Sequence, residues 1–168
     1  MRLAQRRTDE IILRRIEVSK TPAPLMEDGR KPGRVLLGSG GIATEERREL
    51  YRSLVSEHFS GSSQVVFVPF ASDDPDAYTS RMQDFMGPNG PSLVGIHTFE
   101  DALSAVREAE GIYVGGGNSF LLIRELHERG LIGPIRESCL GGVPYLGVSA
   151  GSNVACPTMM TTNDMPIV

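Results

Sequence analysis

The run Gly147-Val148-Ser149-Ala150-Gly151 holds the residue types and the spacing best suited to chemistry. It follows an apolar segment, Val143-Pro144-Tyr145-Leu146, and so reads as strand, sharp turn, helix. In a G-x-S-x-G nucleophile elbow, small residues flank the serine because the strained turn leaves no room for side chains beside it. The turn pushes the hydroxyl out to where a substrate carbonyl can reach it. Ala150 carries the next backbone N–H, the usual first donor to a developing oxyanion, so nucleophile and stabiliser come from adjacent positions.

A second group of small residues, Gly115-Gly116-Gly117-Asn118, admits three readings. As a phosphate cradle it lacks both G-x-G-x-x-G spacing and the Lys-Ser/Thr of a P-loop. As a tight turn before a helix capped by Asn118 it is ordinary. As a partner of Ser149, it would let a glycine aim its backbone N–H at the serine from a neighbouring strand, giving a second oxyanion donor.

A serine nucleophile also needs a base within hydrogen-bond reach. His58 and His127 sit on helices that look exposed and read as solvated surface. His97 follows a strand and so falls on the edge where such sheets do chemistry, with no other mark of a base. Cys139 and Cys156 are too far apart for C-x-x-C and too few for a disulfide scaffold, so both are expected to be small buried residues. Without a tight Cys/His cluster no metal is expected, and no cofactor.

The elements that must position these residues follow from residue pattern. Val35-Leu36-Leu37 is a short apolar strand, and Thr44 is a good N-cap for a helix over 45–58 with Glu45 and Glu46 in its first turn. Val65-Val66-Phe67-Val68-Pro69 is a continuous apolar run, as expected of a strand buried on both faces. A helix over 75–86, a strand over 92–96, a helix over 100–109 and a strand over 111–114 come next. Helices over 119–129 and 131–140 lead to the strand before Ser149. This alternation predicts an α/β fold: a mostly parallel, doubly wound sheet with helices on both faces. Sites in such sheets lie beyond the carboxyl ends of the strands, where both glycine-rich turns fall.

Composition excludes several classes. At 168 residues with 40% hydrophobic side chains the chain can bury one core. A formal net charge of -4 argues against a general nucleic-acid binder. No apolar run approaches the roughly 20 residues of a membrane span, and no secretory signal is present, so the expectation is a soluble cytoplasmic protein.

Residues 1–33 differ from the rest. Met1 to Lys20 is rich in arginine, with Ile11, Ile12 and Ile16 spaced as on a short basic amphipathic helix. Thr21-Pro22-Ala23-Pro24 then breaks any helix. The segment reads as an extension and linker, either a disordered tail, sequence upstream of a start at Met26, or a membrane-surface or targeting element. The domain proper is 34–168.

Taken together, Val114 to Phe120, Gly147 to Asn153, Ala155-Cys156-Pro157 and Thr161-Thr162-Asn163-Asp164-Met165-Pro166-Ile167-Val168 resemble the peptidase E, or alpha-aspartyl dipeptidase, family. Phe67 to Ala71 and Gly95-Ile96-His97 fall in the expected order. The resemblance covers 34–168 and implies a cytoplasmic serine peptidase, on a sheet similar to that of class I glutamine amidotransferases, that cleaves dipeptides with an N-terminal aspartate. It implies that Ser149 is the nucleophile, that Gly117 and Ala150 donate to the oxyanion, and that His97 is not the catalytic histidine. The family's base and its acidic partner are implied to come from segments after the Asn-Asp-Met-Pro run. On that reading the chain is an N-terminal portion, and the 168 residues hydrolyse poorly by themselves. Val148 stands where the family often has tryptophan, so the packing behind the serine is expected to differ. The alternative is a non-catalytic truncated paralogue or fragment of the same fold that binds small acidic ligands. An esterase of the α/β-hydrolase type shares G-x-S-x-G but not the Gly-Gly-Gly-Asn turn or the Asn-Asp-Met-Pro run.

Overall fold

In the computed structural model of the chain, the described residues are 13–15, 33–39, 42–160 and 162–165. Six strands form one sheet: β1 (Leu13–Arg15), β2 (Val35–Gly38), β3 (Gln64–Val68), β4 (Ser92–Gly95), β5 (Ile112–Val114) and β6 (Tyr145–Val148). Their spatial order is β1-β2-β6-β5-β3-β4. The last five are parallel, with Leu37 opposite Gly147, Tyr113 opposite Leu146 and Phe67 opposite Tyr113. The helices are α1 (Glu45–His58), α2 (Pro75–Met86), α3 (Ala102–Arg107), α4 (Ser119–Glu128), α5 (Ile132–Leu140) and α6 (Ala150–Val154), with a 3₁₀ turn over Ile96–Thr98.

Polar residues start the helices where the sequence places them. Thr44 accepts a hydrogen bond from Arg47 N, Asp74 from Ala77 N, and Asp101 from both Leu103 N and Ser104 N. Asn118 accepts from Phe120 N and Leu121 N, which satisfies two orphan donors at the start of α4. The run of 65–68 is fully buried, as a central parallel strand requires.

Side-chain alternation along the strands divides the core into two layers. On one face Val66, Val68, Ile112, Val114 and Tyr145 pack with Val106 of α3, Leu122 and Leu126 of α4 and Ile135 of α5. On the other, Leu36, Val65, Phe67, Tyr113 and Leu146 pack with Tyr51 and Val55 of α1 and Met86 of α2. The sheet is thus doubly wound. After β3 the chain enters α2 on one face, whereas after β5 it enters α4 on the other. The exits of the adjacent strands β3 and β5 therefore diverge, and a crevice opens between them at the carboxyl edge of the sheet.

Three expectations are corrected. Leu13–Arg15 is not helical: it pairs antiparallel with β2, Leu13 opposite Gly38 and Arg15 opposite Leu36. An edge strand offers a row of unpaired N–H and C=O groups, and pairing with it overrides local amphipathic spacing. The sheet thus begins inside the segment read as an extension, the rest of which, up to Pro32, lies outside the described residues. His58 is not solvated: it is buried, and its Nε2 lies 2.9 Å from the Tyr145 carbonyl. The C-terminal turn of α1 folds under the start of β6, and helical position alone does not reveal that. Cys156 is exposed and Cys139 only half-buried, although burial pushes the Cys139 thiol up to about 11. His127 is exposed, as expected.

Candidate active site

β6 runs directly into Ser149, which has φ 52° and ψ -109°. It is the only non-glycine residue with positive φ among the described residues. A β-carbon in that region costs on the order of 1–3 kcal/mol, so the surroundings must hold it there. They do so through the backbone. Ser149 N donates to the Gly38 carbonyl at 2.7 Å, and the Ser149 carbonyl accepts from Ser152 N and Asn153 N at 2.9 and 3.0 Å. Ser152 Oγ lies 2.8 Å from the Gly38 carbonyl and 2.7 Å from the Gly147 carbonyl, tying the ends of β2 and β6 to α6.

The flanking glycines are explained by space. A Cβ at Gly147 would strike the Gly151 carbonyl oxygen, and one at Gly151 would strike the Val114 carbonyl oxygen. The helix that follows the serine lies too close to β5 and β6 for any side chain. Ser149 itself is exposed, so its hydroxyl stands at the rim of the sheet.

The turn Gly115 to Asn118 lies beside it. A Cβ at Gly116 would be 3.1 Å from Ser149 Cβ and 3.1 Å from the Val148 carbonyl oxygen, so the two turns are in contact. Gly115 N donates to the Val68 carbonyl, Gly116 N to the Tyr78 hydroxyl and Asn118 N to the Ala71 carbonyl. Gly117 is exposed with φ +140°, and a Cβ there would collide with the Ala71 carbonyl oxygen, so only glycine fits. Among the described residues, the N–H groups of Gly117 and Ala150 have no hydrogen-bond partner. The arrangement leaves two backbone donors and one serine hydroxyl uncommitted around the same rim. That is what stabilising a tetrahedral oxyanion requires.

The histidines are elsewhere. His58 is under β6, and His97 Nε2 lies 3.1 Å from Asp76 Oδ1 beyond β4. Neither they nor His127 hydrogen-bonds to Ser149 among the described residues. No group of three or more His, Cys, Asp or Glu side chains is gathered as a metal would need among those residues.

One feature of the site escapes sequence reasoning. Residues 162–165 dock onto the start of α4: Asp164 Oδ2 accepts from Ser119 N at 2.6 Å, and Asn118 Nδ2 donates to the Met165 carbonyl at 3.0 Å. Ser119 Oγ, fully buried, is shared with Asn153 Nδ2 at 3.1 Å and Thr162 Oγ1 at 3.2 Å. The Ser119 hydroxyl and N–H lower the Asp164 carboxyl below its ordinary range. The serine helix, the glycine turn and this segment are thereby joined at one buried hydroxyl. The only sequence signal was the polar run Thr162-Asn163-Asp164.

Fold and site together define a doubly wound α/β protein with an exposed serine on a sharp strand-to-helix turn at the carboxyl edge of its sheet. The model of peptidase family S51 matches residues 35–168, and the chain belongs to that family. Peptidase E of Citrobacter koseri is 47% identical to it over 117 residues, and peptidase E of Salmonella typhimurium 45% over 117 residues. Each match covers 68% of this chain and 51% of the relative. The chain spans about half the length of these curated relatives. A solved structure from Listeria monocytogenes, assigned to peptidase E, superposes with a TM-score of 0.54 at 27% identity over 67% of this chain and 58% of that one. That of a peptidase from an acI-B1 actinobacterium, at 19% identity and TM-score 0.52 over 71% and 55%, supports the fold alone. The chain is a peptidase-family protein. No described helix is long and apolar enough to cross a membrane.

Proposed function

We propose that the chain carries the nucleophile and oxyanion donors of a cytoplasmic serine-type dipeptidase that hydrolyses Asp-Xaa dipeptides. The observation that supports this most is Ser149 at positive φ on an exposed elbow, flanked by the N–H groups of Gly117 and Ala150, which have no hydrogen-bond partner among the described residues. Ser149 Oγ attacks the scissile carbonyl carbon, and the oxyanion accepts from both N–H groups. The serine proton passes through a base to the leaving amine, the C–N bond breaks, and an ester to Ser149 remains. Water then attacks that ester by the same route in reverse, releasing the N-terminal aspartate and restoring the hydroxyl.

The base is assigned to a group outside the described residues, since His58, His97 and His127 are engaged or placed elsewhere. Without a base the hydroxyl stays protonated, and loss of one triad member typically lowers the rate by a factor of about 10⁴–10⁶. The described residues by themselves are therefore expected to turn over Asp-Xaa poorly.

The second reading, a non-catalytic protein of the same fold that binds small acidic ligands, draws on the lack of a base at Ser149 among the described residues. The deciding experiment compares Asp-Xaa turnover by the 168-residue chain and by a form extended with the matching segment of a peptidase E relative, each with Ser149 intact and as Ser149→Ala. Serine-dependent turnover confined to the extended form supports the dipeptidase. Binding without turnover in both forms supports the alternative.

A further inference from the structure

Three backbone N–H groups of the turn that presents Gly117 donate hydrogen bonds among the described residues, and only one of them donates to a side chain. Gly115 and Asn118 are anchored to the carbonyls of Val68 and Ala71, on the strand and loop of β3. Gly116, the residue directly before Gly117, is anchored instead to the Tyr78 hydroxyl at 2.9 Å. Tyr78 belongs to α2, which lies on the opposite face of the sheet from α4. Its side chain therefore spans the crevice where the exits of β3 and β5 diverge.

The tyrosine is itself firmly placed. Its ring meets Phe67 of β3 edge to face at 5.2 Å, and Phe67 meets Tyr113 of β5 the same way at 5.0 Å. The Arg81 guanidinium lies 5.0 Å from the Tyr78 ring centroid. A Cβ at Gly115 would come within 2.8 Å of both Cε1 and the hydroxyl oxygen of Tyr78, so that glycine is what lets the ring reach the turn. Burial raises the phenol above its ordinary value, so it stays neutral and keeps the same hydrogen-bonding capacity through the neutral range.

We propose that Tyr78 is a positioning residue for the oxyanion site: by accepting the Gly116 N–H it fixes the Gly115–Gly116 peptide plane, and so the position of Gly116, from which the next plane carries the Gly117 N–H. Gly116 lies beside Ser149, where a Cβ on it would be 3.1 Å from the Ser149 Cβ, so a shift of Gly116 carries the Gly117 N–H that follows it relative to the serine. Val68 and Ala71 hold the ends of the turn, and Tyr78 holds its middle. The inference rests on the reading of Ser149 and Gly117 given above.

Tyr78→Phe deletes one oxygen and keeps the ring. Full removal of an oxyanion donor costs a factor of about 10²–10³, so misdirecting one should cost less, about tenfold. The probe is a boronic acid analogue of aspartate, which forms a tetrahedral adduct on a serine hydroxyl without turnover, so the 168-residue chain serves directly. Tyr78→Phe should weaken the boronate about tenfold and leave the affinity for a reduced-amide Asp-Xaa analogue within twofold. The Gly116 amide should exchange hydrogen faster. In an extended form that turns over, kcat should fall and KM hold. A purely structural role would weaken both ligands alike.

Unchanged boronate affinity in Tyr78→Phe overturns the inference. Gly115→Ala, which displaces the ring with its hydroxyl intact, should give the same selective loss and carries the test if Tyr78→Phe does not fold. Boronate binding that survives Ser149→Ala overturns the reading of the nucleophile, and the positioning role falls with it. Loss on Ser149→Ala without loss on Tyr78→Phe overturns the positioning role alone.

Discussion

The buried hydroxyl of Tyr145 donates to the Gly151 carbonyl at 2.7 Å, so the strand that leads into Ser149 also clamps the helix that leaves it. The bond bridges the elbow from below and fixes the angle between β6 and α6. Tyr145→Phe keeps the ring and leaves that carbonyl without its partner, which should cost about 1–3 kcal/mol in urea unfolding. Because the lost bond sits under Ser149, turnover in an active form should fall as well, while a core change elsewhere, such as Leu126→Ala, should leave turnover intact.

Strain at Ser149 predicts opposite effects on stability and activity. Ser149→Gly removes the β-carbon that makes φ 52° costly, and relief of about 1–3 kcal/mol is offset by roughly 0.5–1 kcal/mol of added chain entropy in the unfolded state. Thermal unfolding should therefore shift slightly upward, while an extended form that turns over Asp-Xaa should lose that turnover on the same change. A lower midpoint for Ser149→Gly would show that the elbow is not strained.

Gly151→Ala tests the close approach of α6 to β5. The added methyl must displace the Val114 carbonyl, which is main chain of a central strand and cannot yield cheaply. Overpacking of this kind costs about 1–3 kcal/mol, and the expected result is a lower urea midpoint with loss of boronate binding. Ala at the open position Gly133, where nothing lies within 4 Å, is the control.

The docked segment 162–165 should release in acid. The Asp164 carboxyl is lowered in the folded state by Ser119, so its contribution is present above the unfolded value of about 3.9 and is lost as pH falls through the lower folded value. The Ser119 amide resonance should move with a single protonation below the ordinary carboxylate range. In Asp164→Asn that pH-dependent movement should vanish; a shift that persists would mean another group titrates there.

Burial of His58 predicts a stability cost without a role in chemistry. His58→Ala removes the ring against Phe59 and the bond to the Tyr145 carbonyl, an expected loss of about 2–4 kcal/mol. His127→Ala, on an exposed site, should stay within about 0.5 kcal/mol. Chemical unfolding of both variants decides it.

Local pattern located most of the architecture because the forces involved act over a few residues. Thr44 and Asn118 cap helices through their own next turn, and Val65 to Val68 is apolar throughout because a central parallel strand meets helices on both faces. The Gly147 to Gly151 spacing likewise encodes a local fact, the absence of room around a sharp turn. What sequence left open were contacts between residues far apart in the chain. Whether Gly115 to Asn118 was an ordinary turn or lay against Ser149 depended on β5 and β6 being neighbours in the sheet. Leu13–Arg15 became a strand because β2 had a free edge, and His58 became buried because β6 returned beneath it. Tyr78 carried no local mark, since its partner Gly116 is 38 residues away. By itself the sequence determined the elements and the chemistry each could carry; which groups face one another was decided only by tertiary structure, because hydrogen-bond geometry forms across strand order, and strand order is not a local property.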